Sequence, residues 1–177
     1  MPDPPLADGM LALGSFEDAD IAALLESCND PEIARYTFLP VPYLRGHAEE
    51  FIAGQAERRI AGEAIDLAVR SPRGGELLGA TGLRVFRSDR ASCEIGYWVA
   101  PAARDRGIAP RAVGLLARWA LRSLPVGLIE LTPDVENQAS HRVAEKAGFA
   151  LTGERRETFA KGRRWRFLVY ALDGRQP

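Results

Sequence analysis

One stretch constrains this chain more than any other: Trp98-Val-Ala-Pro-Ala-Ala-Arg-Asp-Arg-Gly-Ile-Ala-Pro-Arg-Ala-Val113. It runs from an apolar strand, through a loop bearing arginine and glycine, into an amphipathic helix. Main-chain N–H groups at a helix N-terminus have no intrahelical partner, and the helix dipole makes that end attractive to anions. Gly107 and Ala109 allow close approach to the backbone, while Arg104 and Arg106 add full charges. Such an arrangement is a phosphate cradle. The same six residues also fit an ordinary strand–loop–helix connection, so their surroundings must decide.

After the loop, Val113, Leu116, Ala117, Ala120 and Leu121 fall at helical spacing and predict a face packed on a sheet. Other elements follow from local pattern. Met10 to Leu13 reads as a short strand, and Phe16 to Cys28 as a helix with acidic residues near its start. Pro31 begins a short helical piece, and Gly46 to Ala61 reads as a third helix. Ile65, Leu67 and Val69 alternate with Asp66, Ala68 and Arg70 as a strand, and Arg73-Gly74-Gly75 turns the chain into Leu77 to Phe86. Glu94 to Val99, Gly127 to Thr132, Phe149 to Phe159 and Trp165 to Leu172 are further strands. Asn137 to Ala147 is a helix ended by Gly148. The alternation predicts an α/β domain with a mixed central sheet flanked by helices.

With 177 residues, 46% of them apolar, the chain has the size of one domain. Residues 1–8 read as a flexible proline-rich segment, 9–173 as the domain and 174–177 as a tail. The 23 basic and 24 acidic residues nearly cancel, which leaves no bulk electrostatic case for DNA or an anionic membrane. Cys28 and Cys93 make no disulfide framework and no metal-ligand spacing, so no metal is expected and both are read as reduced core residues. No secretory signal or membrane-length apolar run is visible, and a cytoplasmic location is expected.

The spacing Arg104-x-x-Gly107-x-Ala109 resembles the pyrophosphate loop of the GNAT superfamily of N-acetyltransferases. Cys93-Glu-Ile-Gly-Tyr-Trp-Val-Ala-Pro101 is similar to that family's central strand. The long pattern Asn137-x-x-Ser140-x-x-Val-Ala-Glu-Lys-x-Gly-Phe149 is characteristic of its RimJ/RimL-like branch, which Tyr36-Thr-Phe-Leu-Pro-Val-Pro-Tyr43 also resembles. The resemblance extends from about Leu11 to Leu172. It implies a single GNAT-like domain with splayed central strands. It also implies acetyl-CoA as cosubstrate and direct attack by a primary amine, either a peptide N-terminal α-amine or a small-molecule amine or antibiotic. Monomer and homodimer are both compatible with it.

By resemblance, Trp98 and Val99 contact the pantetheine arm through their backbones. Arg104, Asp105, Arg106, Gly107, Ile108 and Ala109 hold the diphosphate, and Asn137 contacts the arm. Asp105 departs from the family pattern, which often has glycine there. Ser140 is the candidate proton donor to the departing thiolate, although by periodicity alone it is a helix serine bonding a neighbouring carbonyl, with Asn137 as the cap. Glu94 shares a strand face with Gly96 and Trp98 and is the candidate base, or else the partner of an arginine. Glu157 is a weaker alternative. Tyr36, Phe38, Tyr43 and Trp98 are candidate walls for the acceptor by resemblance, or core by composition. His47 and His141 are expected to face solvent. Two other readings stay open: a non-catalytic acyl-CoA-binding domain, and transfer of a larger acyl group.

Overall fold

The computed structural model describes residues 5–72, 75–87 and 92–174. Its eight strands form one sheet. They are β1 (Leu6–Ala7), β2 (Ala12–Gly14), β3 (Ala64–Arg70), β4 (Leu77–Arg87), β5 (Ser92–Val99), β6 (Leu128–Leu131), β7 (Ala150–Ala160) and β8 (Arg163–Asp173), in the order β1-β2-β3-β4-β5-β6-β8-β7. The sheet is mixed, as the sequence implies: β5 and β6 run parallel, and every other neighbouring pair is antiparallel. Among the described residues six α-helices accompany it: α1 (Ile21–Cys28), α2 (Pro31–Tyr36), α3 (Arg45–Ala53), α4 (Gln55–Ile60), α5 (Ile108–Ser123) and α6 (Gln138–Lys146).

Alternation along the strands sorts the core onto two faces. Cys93 and Ile95 pack with Val113, Leu116, Ala117 and Ala120 of α5, with Ala144 of α6 and with Tyr170. The apolar stripe of α5 is buried as its spacing requires. On the opposite face, Phe16, Leu24, Tyr43, Ala48 and Leu77 form a smaller cluster, with Trp98 against it.

Three expectations are corrected in detail. The segment expected to be loose contains β1, where Leu6 and Ala7 pair with Leu13 and Ala12. The single helix over Gly46 to Ala61 is two helices, divided at Gly54, and the Arg58 guanidinium donates to the Phe51 carbonyl at 2.8 Å across the break. Strand β2 begins at Ala12, later than Met10, which is half exposed. The turn residues Arg73 and Gly74 lie outside the described residues.

The outer hairpin, β7 with β8, is fastened to the sheet by a buried ion pair. Both oxygens of Glu130, on β6, accept from Arg156 on β7 at 2.9 Å, and Arg156 also reaches Glu154 at 2.8 Å. These bonds hold the Arg156 guanidinium's pKa above its ordinary range. A buried carboxylate stripped of its partner is expensive. Arg156→Met should therefore lower stability by about 3 kcal/mol, read as a lower urea midpoint with unchanged slope.

Candidate active site

The register explains how the sheet opens. Strand β5 pairs with β6 only over Ser92, Cys93 and Glu94, opposite Leu128, Ile129 and Glu130. Beyond Glu94 it stays paired with β4 through Val99, while β6 ends at Leu131. The Ala100 amide donates to Leu78 of β4 at 2.9 Å, and backbone groups alternate along a strand. The N–H and C=O groups of Trp98 thus point toward β4, and those of Tyr97 and Val99 point into the opening. Of the two residues expected to offer backbone there, Val99 does so and Trp98 does not; Tyr97 takes its place.

The loop at the end of this opening is built from left-handed backbone. Gly107 is the residue before α5, at φ 71°, with open space where a Cβ would be. Asp105 adopts φ 59°, a conformation that favours glycine. That accounts for glycine in the family pattern at this place. Asp105, Arg106 and Gly107 are exposed, whereas Ile108 and Ala109 are buried in the first turn of α5. Pro110 costs no helical hydrogen bond in that turn.

Arg104 is engaged within the protein. Its guanidinium donates to the Asp30 carboxylate, which also caps α2 by accepting from the amides of Glu32 and Ile33 at 3.1 and 3.0 Å. Burial pushes the Asp30 carboxyl up, but the Arg104 and amide bonds outweigh it and hold its pKa below the ordinary value. Arg106 therefore carries the loop's exposed positive charge, beside the exposed carboxylate of Asp105.

Helix α6 brings Ser140 to the same region. Asn137 caps it, its side chain accepting from the Ser140 amide at 3.0 Å, as its residue type suggests. Ser140 is buried, and its Oγ accepts from the Tyr97 hydroxyl at 2.9 Å. Burial pushes the Tyr97 hydroxyl up to about 12, against the lowering effect of the Ser140 bond, so it remains a proton donor at neutral pH. Tyr97 was not singled out in the sequence. Its signal was the alternation Cys93, Ile95, Tyr97, Val99, which puts it on the face toward α5 and α6.

Glu94 lies on the other face. It is exposed, opposite Arg84 on β4, and its Oε1 accepts from the Thr132 hydroxyl at 2.5 Å. Glu157 is exposed and pairs with Arg164 at 3.5 Å. Opposed residues share a face, so the pairings Glu94–Glu130, Glu130–Ala171 and Glu157–Arg166 set Glu157 on the face away from Glu94.

The four aromatic residues separate. Phe38 is 57% exposed, 4.7 Å from the Trp165 ring centroid and 6.4 Å from that of Phe167. Tyr36 is half-buried beside Arg35. Tyr43 is buried in the smaller cluster, 5.6 Å from His47, and burial pushes its hydroxyl up to about 12. Trp98 packs on that cluster too. The histidines are not free in solvent. His47 Nδ1 accepts from the Leu44 amide at 3.0 Å. His141 is buried against Tyr170 with Nε2 3.4 Å from the Val135 carbonyl, because the chain before Asn137 folds over the first turn of α6.

Residues 11–150 match the family described as Acetyltransferase (GNAT) domain. The chain belongs to that family. It is accordingly an acetyltransferase. An uncharacterized N-acetyltransferase, p20, of Bacillus licheniformis is 26% identical over 158 residues, covering 89% of this chain and 88% of that one. Among solved structures, Mycobacterium smegmatis RimJ, in complex with CoA-disulfide, superposes with a TM-score of 0.81 at 21% identity, covering 96% of this chain and 85% of that one. Spermidine N-acetyltransferase from Vibrio cholerae, in complex with CoA and spermine, gives 0.77 at 21% identity, covering 94% and 97%. These likenesses fit the GNAT fold. Among the described residues no helix is long and apolar enough to cross a membrane, and no group of three or more His, Cys, Asp or Glu is arranged to hold a metal ion.

Asp30 joins the loop to α2, and its loss should be felt in both. Asp30→Ala should cost about 1–2 kcal/mol in thermal or urea denaturation, while Asp30→Asn, which keeps a capping oxygen, should cost less. The lowered carboxyl pKa fixes the pH dependence: the wild-type contribution is full above the ordinary carboxylate value and disappears as pH falls through the lower folded one. The stability gap between wild type and Asp30→Ala should therefore narrow only in strong acid.

Proposed function

We propose that this protein transfers acetyl from acetyl-CoA to the α-amino group of a peptide or protein N-terminus. The observation that carries the reading is the opening between β5 and β6, flanked by the left-handed loop before α5 and by the Tyr97–Ser140 pair. The residues present fit the coenzyme: Gly107 leaves the helix N-terminus bare, and Tyr97 and Val99 offer unpaired backbone to an amide-bearing arm. Acetyl-CoA, when bound, supplies the activated thioester.

The protein's own groups divide the remaining tasks. Amides of residues 107–109 and the Arg106 charge hold the diphosphate. The Val99 and Tyr97 backbones orient the arm along the sheet edge. Ser140 donates its hydroxyl proton to the departing thiolate, and Tyr97, already donating to Ser140 Oγ, supports that transfer from behind. Glu94, exposed and oriented by Thr132, takes the first of the two protons that the nitrogen loses, through water where the amine does not touch it directly, and the second, released as the amide forms, replaces the proton that Ser140 gives up.

An α-amine, with a pKa of about 7.7–8.0, gives up that proton far more readily than a lysine at about 10.4, which suits a carboxylate in contact with solvent. A polyamine is the less favoured acceptor, because Arg35, Lys161 and Arg163 line the cleft on Glu94's face of the sheet.

Two measurements test this reading. Gly107→Glu should abolish coenzyme binding by calorimetry at concentrations that saturate the wild type; the left-handed backbone there adds strain of about 1–3 kcal/mol, but no atom lies within 4 Å of the missing Cβ, so the fold should be retained, as circular dichroism checks. Unaltered affinity would remove the coenzyme from this loop. In a thiol-release assay on N-terminal peptides, Ser140→Ala should lower kcat about a hundredfold with coenzyme affinity nearly unchanged, and Tyr97→Phe should lower it by a smaller factor. Normal turnover in Ser140→Ala would make the serine structural, and strong turnover of small amines alone would reassign the acceptor.

A further inference from the structure

A cleft of about 370 Å³ lies on the face of the sheet that carries Glu94, lined by Ala34, Arg35, Val41, Lys161, Arg163 and Trp165. Its charged side chains are all cations. Arg35 is offset by Glu136 at 3.1 Å, and Arg163 stands 3.8 Å from Asp134 while its guanidinium lies 3.7 Å over the Trp165 ring. Lys161 differs from both. The bonds of its ammonium are to the carbonyls of Thr37 and Ala34, at 3.1 and 3.4 Å, so among the described residues no carboxylate neutralises it. Burial, and then the positive charge of Arg163, pull its pKa below the ordinary lysine value. Arg35 and Arg163 each have a carboxylate partner, so the uncompensated positive charge of the cleft is that of Lys161, and an anion beside it is stabilised.

The backbone at the lysine is unusual as well. Lys161 and Gly162 both have positive φ, 52° and 71°, at the tip of the β7–β8 hairpin. Asn, Asp and Gly are the residues that adopt this turn readily, and a lysine there carries strain. The turn brings the ammonium against the carbonyls at the end of α2, and its hydrogen bonds to them hold it there.

The register measures how far this cleft lies from Glu94. Continuing the antiparallel pairing of Leu131 with Tyr170 puts Thr132, whose hydroxyl holds Glu94, level with Val169. The bridge between Asp134 and Phe167 fits the same register. Trp165 lies four residues from Val169 along one strand, or about 13 Å at 3.3 Å per residue. An extended acceptor whose amine meets Glu94 thus brings its fifth residue level with Trp165, where the Arg163 guanidinium lies, with its fourth one residue short of it.

We infer that the cleft is an anion-binding subsite of the acceptor channel, and that the preferred acceptor is an acidic segment with carboxylates three to four residues after the reacting α-amine. The inference rests on the acetyltransfer to peptides proposed above, and its test separates the two. Two hexapeptides labelled at the C-terminus with fluorescein, Ser-Ala-Ala-Glu-Glu-Ala and Ser-Ala-Ala-Lys-Lys-Ala, are titrated by anisotropy against protein saturated with CoA.

The acidic peptide should bind at least tenfold more tightly than the basic one. Lys161→Asn, which suits the left-handed turn, should reduce that ratio to about threefold or less. Arg164→Gln, a loss of one positive charge on the other face of the same hairpin, should leave it unchanged. Equal binding, a preference for the lysine peptide, or no binding of either overturns the subsite. So does an equal effect of Arg164→Gln, which would reduce the preference to overall charge. Thiol release from the same peptides reads the transfer separately: an acidic preference in binding without turnover keeps the subsite and refutes peptide acetylation.

Discussion

The rest of this structure depends on a pairing that stops early. Strand β5 is bound to β4 along its length but to β6 over only three residues, so the sheet parts in its middle instead of at an outer edge. Unpaired backbone is normally costly unless water or a partner reaches it. Here the parting is bounded by α5 and by α6, each delivered by a connection that leaves or enters one of the two parting strands. The helices do not merely cover the sheet. They pack against the same two strands, so the large core cluster on their side also frames the gap.

The gap divides labour between faces. Tyr97 and Ser140 meet on the helix side, while Glu94 and Thr132 meet on the other. A reacting centre in the opening would have a proton donor on one side and a proton acceptor on the other, without the two groups ever quenching each other by a direct hydrogen bond. Adjacent residues of a strand achieve this at no cost, because neighbouring side chains point in opposite directions. Tyr97 and Trp98 show the same division: one serves the Ser140 pair, the other walls the smaller cluster.

Much of this was legible before any coordinates. The strand, loop and α5 were readable from spacing, and Asn137 as a cap from its residue type. What escaped was set by tertiary contacts. Gly54 interrupts a pattern whose periodicity alone continues through it. His141 looked solvent-facing on a helical wheel, and only the chain preceding Asn137, folded back over α6, buries it. Arg104 was read as a charge for phosphate, since nothing local reveals that Asp30, 74 residues earlier, comes to lie against it. Trp98 was expected at the opening by resemblance alone, whereas the direction of a backbone N–H depends on which neighbour is paired. The cleft around Lys161 was unreadable because its residues come from α2, the segment after it and the last hairpin.

The ion pair between Arg104 and Asp30 bears on selectivity. A loop with several bare guanidinium groups would draw in any anion from a distance, and a cell is full of free phosphate. With one of its two arginines already neutralised from within, this loop has little long-range pull. Its attraction is concentrated in amides at the start of α5, which act only at contact and only on a group shaped to reach several of them at once. In the acetyl transfer proposed above, the loop would therefore discriminate by shape rather than by charge, favouring a ligand that spans it over small ions that merely carry the right sign.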